Sequence, residues 1–272
     1  MQLTPLVPIY LISVIVTLYV ALQTWQHRST PGARELTLLM VAASLWALAD
    51  GLALAATSLW AKTFFSKISH IGIQSVPVFF LLFVISFTNH ATVLGRRGRY
   101  LIWVIPVSAI LIAITNDLHH QFWTQVTLVD TPYGIEDKYE HGILFWLPAL
   151  YLYSLIVLGT LLLARSALAN VHRYRRQAIV IVVAVAIPWV ANIIYLFDIT
   201  PWPWLDLTSI AFSLAGILLA WAILKLGLLH ILPIARTQLV EHMNEGVVVV
   251  DTRNTIVDVN PAAINLLQID AA

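Results

Sequence analysis

LHILPIARTQLVEHMNEGVVVVDTRNTIVDVNPAA, Leu229–Ala263, is where the chain changes solvent. Upstream of Pro233 the sequence runs in long apolar blocks; downstream it mixes charged and apolar residues as a water-soluble segment does. Proline is tolerated at a first helical position, so IARTQLVEHMNEG predicts a short helix ended by Gly246. Ala235, Leu239 and Met243 recur four apart on it, a narrow stripe suited either to pairing with a second copy or to packing on the domain that follows. GVVVVD (Gly246–Asp251) and TIVDVN (Thr255–Asn260) are β-branched runs on either side of a polar TRN, which predicts a hairpin. Asn260 then caps a helix opened by Pro261. About thirty residues in two strands and one helix bury no core of their own, so this α/β tail reads as the opening of a domain.

The rest of the chain is of another kind. Of 272 residues 60% are hydrophobic and 11% charged, whereas a soluble domain is roughly 45–50% apolar and about 25% charged. Apolar runs of about 18 residues or more recur, each long enough for a hydrocarbon core of ~30 Å. The fold class is therefore an all-α polytopic membrane protein with a short soluble tail. The absence of cysteine excludes disulfides, thiolate metal sites and cysteine nucleophiles. The start, MQLTPLVPIY, lacks the basic region of a signal peptide, so the first apolar segment reads as retained.

Seven apolar segments separate on the charges: approximately Leu3–Trp25, Leu36–Trp60, His70–Leu94, Tyr100–Thr115, Ile143–Ala164, Ala178–Phe197 and Leu207–Leu224. Arg28, Arg34, Arg96, Arg97, Arg99, Arg165, Arg173, Arg175 and Arg176 fall in alternate loops, with Lys225, Arg236 and Arg253 following the last span. The opposite loops hold only Lys62, Lys67 and Lys138 among seven acidic residues. This asymmetry predicts a seven-helix bundle with the N-terminus outside and the C-terminus in the cytoplasm. Trp25, Trp60, Trp123, Trp146, Trp202 and Trp204 lie near the span ends, where an indole prefers the headgroup level. The basic clusters RRGR and HRYRR sit beside the bilayer, so anionic lipid rather than nucleic acid is their expected partner. The longest loop, Asn116–His141, is expected outside.

An ionisable residue inside a span marks a functional site by default, because burying it costs a few kcal/mol or more. Asp50 is the clearest case, about ten residues or ~15 Å from the outer end of the second span. Asn192, Gln74, Trp46, Trp189, Tyr195, Trp146 and Asp206 lie at or near the same outer half, which predicts an outward-open cavity lined by aromatics and a few polar groups. For Asp50 and Asn192 a ligand or switch role and simple interhelical hydrogen bonding both stand; for Ser75, Ser209 and Ser213 the latter is the better reading. His119, His120 and His141 lack metal-ligand spacing and read as wet loop residues. Lys225 is too near the cytoplasmic end for a chromophore lysine and reads as snorkelling to the headgroups. HExxH, P-loop and GxSxG signatures are missing, so no catalytic residue, metal or cofactor is expected. No internal repeat of the kind that marks many transporters occurs.

EGVVVVDTRNTIVDVNPAAINLLQID resembles the opening of a PAS domain. SLWALAD (Ser44–Asp50), FTNH (Phe87–His90), TNDLHHQFW (Thr115–Trp123), His141–Arg165, YRRQA (Tyr174–Ala178), PWVANIIYL (Pro188–Leu196) and DLTSIAFSLAG (Asp206–Gly216) resemble, in order and spacing, the N-terminal seven-helix sensor region of bacterial and archaeal histidine kinases. The resemblance implies three parts: a sensor domain over residues 1–230, a linker helix over 231–245 and a PAS start over 246–272. It further implies a unit that detects a stimulus and biases a cytoplasmic kinase as a homodimer. His242 stands in HMNE rather than a phosphoacceptor box, so phosphorylation is not carried onto it. The PAS part stops before the elements that would enclose a haem or flavin, so no cofactor is carried over. Similar sensor regions also precede diguanylate cyclases, which leaves the output open.

Overall fold

A computed structural model describes residues 2, 4, 6–88, 94–131, 134–169, 175–197, 199, 207–225, 243–250 and 256–267. The chain divides into two units, Met1–Leu229 and His230–Ala272.

In the first unit the apolar segments become α1 (Val7–Gln26), α2 (Ala33–Ala55), α3 (Leu59–Phe87), α4 (Arg96–Leu101), α5 (Val104–Ile114), α6 (Asn116–His119), α7 (Ile143–Ala169), α8 (Arg175–Leu196) and α9 (Thr208–Lys225). Helices α1, α2, α3, α7, α8 and α9 pack in that order and close into a ring, α9 returning to α1, while α5 fills the outer groove between α3 and α7. The ring centre is closed by Leu36, Met40, Phe83, Val84, Leu163 and Ile181. Apolar side chains on the outward faces, such as Ile12, Ile15 and Leu22 of α1, Leu150 and Leu161 of α7 and Leu214 and Ile217 of α9, are exposed; lipid is the solvent that suits them. Five segments are long and apolar enough to cross a membrane among the described residues, and Ile179–Tyr195 and Thr208–Leu219 are shorter apolar helices. This is a multi-pass membrane protein.

Element boundaries depart from the hydropathy reading at α2 and α3. The second helix stops at Ala55, not Trp60, and the third begins at Leu59, not His70. Lys62 and Lys67 thus sit on the first turns of α3 rather than in a loop. Ser58 starts that helix, its Oγ accepting from Ala61 N at 3.3 Å. Lys62 is fully buried, donating to Ala53 O at 2.9 Å with Asp137 Oδ1 at 3.7 Å. A lysine matched in this way no longer marks a membrane boundary. In consequence Asp50 lies five residues from the end of α2, roughly 7.5 Å deep at ~1.5 Å per residue, shallower than the sequence suggests.

The fourth apolar segment breaks at Ile102–Trp103 between α4 and α5. Pro106 has no N–H to give the carbonyl four residues back, and that carbonyl, Ile102 O, accepts instead from the Tyr151 hydroxyl of α7 at 2.9 Å.

Residues 116–141 are more ordered than a loop. After α6 they form an antiparallel hairpin of β1 (Trp123–Thr131) and β2 (Gly134–His141), so the membrane unit is not purely α. Asn116, buried, ties α6 to the hairpin: its Oδ1 accepts from Phe122 N and Trp123 N at 3.0 and 3.1 Å, and its Nδ2 donates to Trp123 O at 3.0 Å. Gln2 ties it to the bundle, its Nε2 donating to Leu54 O (3.0 Å) and Ile135 O (2.9 Å) and its Oε1 accepting from Ile135 N at 3.0 Å. Gly134 (φ 124°) faces this clamp, and a Cβ there would lie 2.6 Å from Gln2 Oε1. Trp123 is buried in the hairpin core beside Ala109, Ala113 and Phe122, not at a headgroup boundary. Arg28, Arg34, Arg97, Arg99 and Arg165 fall at the helix ends opposite the hairpin.

In the second unit β3 (Val248–Val250) and β4 (Ile256–Val259) pair antiparallel and α10 (Pro261–Leu267) follows. Asn260 caps as its position predicts: its Oδ1 accepts from Ala263 N at 2.9 Å and Val247 N at 2.8 Å, and its Nδ2 donates to Glu245 O at 2.8 Å. The TRN turn and residues 231–242 of the expected linker helix lie outside the described residues; Met243–Glu245, expected in its last turn, are described and are not helical.

Candidate functional site

The ring encloses a cavity of about 240 Å³ at its hairpin end. On α3 its lining runs from Ser66 to Pro77, roughly 16 Å along the helix axis at ~1.5 Å per residue. Helix α2 supplies Trp46 and Asp50, α8 supplies Trp189, Asn192 and Tyr195, and α9 supplies Thr208 and Phe212. The hairpin supplies Trp123, Glu136, Asp137, Tyr139 and His141. Six of the eight sequence candidates, Asp50, Asn192, Trp46, Trp189, Gln74 and Tyr195, therefore meet around one space. Trp146 does not: it is 51% exposed on α7, edge-on to Phe145, a position that suits the membrane boundary better than a cavity wall. Asp206 lies outside the described residues.

Local sequence explains why a void sits here. Pro77 of α3 and Pro188 of α8 both line it, and each removes one bond from its helical ladder. Gly72 lets α3 approach α2 so closely that a Cβ would lie 2.6 Å from Ala42 O and 2.8 Å from Trp46 Cβ, which fixes the Trp46 indole at the wall. Trp46 in turn packs on Phe212 of α9 with ring centroids 5.5 Å apart. A smaller apolar cavity of about 60 Å³ lies against the first and shares Val76, Pro77, Ile156, Pro188, Trp189 and Phe212 with it.

The polar groups fall into two sets. Within the helical wall, Asn192 joins three helices, its Oδ1 accepting from Tyr153 of α7 and its Nδ2 donating to Thr208 Oγ1 of α9 at 3.1 Å. Nearby Ser13 Oγ of α1 donates to Ser209 O at 2.9 Å. Ser75 and Ser213 bond to their own helices, at Ile71 O and Ile210 O, and carry no ligand geometry. At the hairpin end, the Tyr139 hydroxyl donates to Asp137 Oδ2 at 2.5 Å and lies 2.6 Å from Ser66 Oγ. Burial, then the neighbouring Asp137 charge, raise the Tyr139 phenol above its usual range. Burial likewise lifts the Glu136 carboxyl from 4.5 to about 7; the Lys62 charge pulls it down and Asp137 pushes it up. His70 Nδ1 lies 2.9 Å from Ser66 O and its ring stands edge-to-face against Trp123 at 4.9 Å. If Nδ1 carries the proton, Nε2 is the ring's acceptor.

Several lining polar atoms are buried with no hydrogen-bond partner among the described residues: Trp46 Nε1, Trp189 Nε1, Gln74 Oε1 and Glu136 Oε1. Unmet donors and acceptors around a space are what a ligand or ordered water satisfies. Sequence reasoning missed the hairpin contribution entirely. The signal was present, since TQVTLVD followed by TPYG is a β-branched run ending in a turn, but the surrounding acidic residues read as loop.

Comparison with known proteins bears on the whole chain. A search of curated proteins and a search of solved structures each gave no match. A family described as a PAS domain matches residues 237–272. The family described as the N-terminal 7TM region of histidine kinase matches residues 9–233, most of the chain, and the chain belongs to that family.

Proposed function

We propose that the chain is the signal-input module of a histidine-kinase-type receptor, in which the ring cavity holds the stimulus. Seven spans place the N-terminus and hairpin outside and the C-terminus in the cytoplasm, so the cavity opens outward. Residues 1–230 form the sensor, 231–245 a linker helix and 246–272 the beginning of the PAS domain. The receptor acts as a homodimer through the linker and its output domains, and the output is a kinase, with a diguanylate cyclase as the alternative.

The observation that carries this reading is the position of α9. It contributes Thr208 and Phe212 to the cavity wall, it is held to α8 through Asn192 and to α1 through Ser13, and in sequence it is the helix that leads to the PAS match. An occupant that favours one packing of α9 over another shifts a two-state equilibrium at the linker. The charge asymmetry of the helix ends supports the orientation.

A cavity-filling substitution tests the coupling without knowledge of the stimulus. Ala149 lines the cavity from α7, and Ala149→Phe should alter hydrogen exchange of residues 230–245 in the chain reconstituted in nanodiscs. Unchanged exchange there, together with solute flux through liposomes carrying the wild-type chain, would favour a small transporter instead.

A further inference from the structure

The chemistry of the cavity also restricts its occupant. Three carboxylate residues line it, Asp50, Glu136 and Asp137, and no lysine or arginine does among the described residues. Lys62, fully buried, is committed to Ala53 O and Asp137, and Glu136 is buried with Oε1 unmatched among the described residues. In a protein interior set in lipid such an excess, where ionised, is weakly screened; it repels anions and draws cations, whose approach favours the charged form of Glu136. The walls are aromatic on several sides, from Trp46, Trp189, Tyr153, Tyr195, Phe145 and Phe212; ring faces of this kind attract an organic ammonium. Two indole N–H groups there lack an acceptor among the described residues, a need that an acceptor atom on the apolar body of the occupant would meet in place of water. The volume of about 240 Å³ falls just below the ~300 Å³ at which drug-sized sites begin.

We infer that the cavity takes a small organic cation, an amine or ammonium group on an aromatic body with an acceptor atom, its charge directed to Asp50 and Glu136 and its body held between Trp46, Trp189 and Phe212. The inference rests on the reading of this cavity as the stimulus site and names the chemistry of that stimulus.

Three matched probes separate charge from shape: tyramine, its neutral alcohol tyrosol, and the anion 4-hydroxyphenylacetate. Binding to the purified chain in nanodiscs of zwitterionic lipid is read by calorimetry and thermal shift. Tyramine should bind at least tenfold more tightly than tyrosol, and 4-hydroxyphenylacetate more weakly than either. Asp50→Asn should erase most of the tyramine advantage while tyrosol binding stays within about twofold, which also shows that the variant is folded; Glu136→Gln should reduce the advantage in the same direction. Ala149→Phe should remove binding of all three. Tyrosol or the anion binding as tightly as tyramine overturns the cation inference and leaves the ligand cavity standing. Binding of none of the three to a chain with native helicity, or binding that persists in Ala149→Phe, overturns the cavity reading and the inference with it.

Discussion

At the scale of single residues the hairpin end of the cavity is governed by one imbalance. Burial holds the Glu136 carboxyl up at about 7; the charge of Lys62, which lies 3.7 Å from Asp137, draws it down, and Asp137 pushes it up. Unfolded, the Glu136 carboxyl ionises near 4.5; folded, it keeps its proton until about 7. Between these values the folded chain binds the extra proton, so this group makes stability fall as pH rises through the window, by up to about 1.4 kcal/mol per pH unit, and adds no further slope above it. Glu136→Gln removes the ionising group. Its melting temperature should match wild type at pH ~4, below the window, and exceed it at pH ~8; parallel melting curves for the two chains across that range would contradict the assignment. Asn192 shows the other face of the same site. It lines the cavity and also bonds Tyr153 and Thr208, so interhelical bonding does not take this side chain away from the cavity wall.

At the scale of elements the hydropathy pattern carried the helices well and their ends poorly. Long apolar runs mark a membrane helix because lipid faces one side of it and a packed interior the other, and α1, α7 and α9 follow that rule. The ends of α2 and α3 escape the hydropathy pattern because Lys62 looks like a boundary until its buried partners are known. The hairpin was missed for a related reason: Glu136 and Asp137 read as solvent-facing, yet they point at a cavity. That Asp50, Trp46 and Gln74 share one cavity wall is legible because a polar or indole group in an apolar run has few reasons to be there. Trp146 was misplaced because periodicity gives the depth of a residue but not the direction it faces. Gly72 makes the helix-level packing testable. Its missing side chain permits the α2–α3 approach that sets Trp46 at the wall, and overpacking a close interface costs about 1–3 kcal/mol. Gly72→Val should lower the melting temperature and change the emission of the Trp46 environment, measured as a fluorescence difference from the same variant carrying Trp46→Phe. An unchanged melting temperature would mean that the two helices have room to part.

At the scale of the whole molecule the ring joins two chemically distinct ends. One carries the acidic hairpin, clamped by Gln2 and Asn116; the other gathers the arginines of the short connections and the continuation of α9 towards the PAS match. A membrane with an anionic inner leaflet discriminates between such ends, and Lys/Arg bias in short loops sets which stays inside. The chain has no cysteine, so a single introduced thiol reports its own side of the membrane. Lys138 and Arg97 are both exposed, one on the hairpin and one at the start of α4. In intact cells an impermeant maleimide should label Lys138→Cys to near completion and leave Arg97→Cys unlabelled, and permeabilisation should bring the second to the level of the first. The reverse pattern would put the cavity mouth in the cytoplasm, and the chain would then read an internal metabolite. Equal labelling of both in intact cells would mean that the two ends are not separated by a bilayer, which the exposed apolar faces of α1, α7 and α9 make the least compatible outcome.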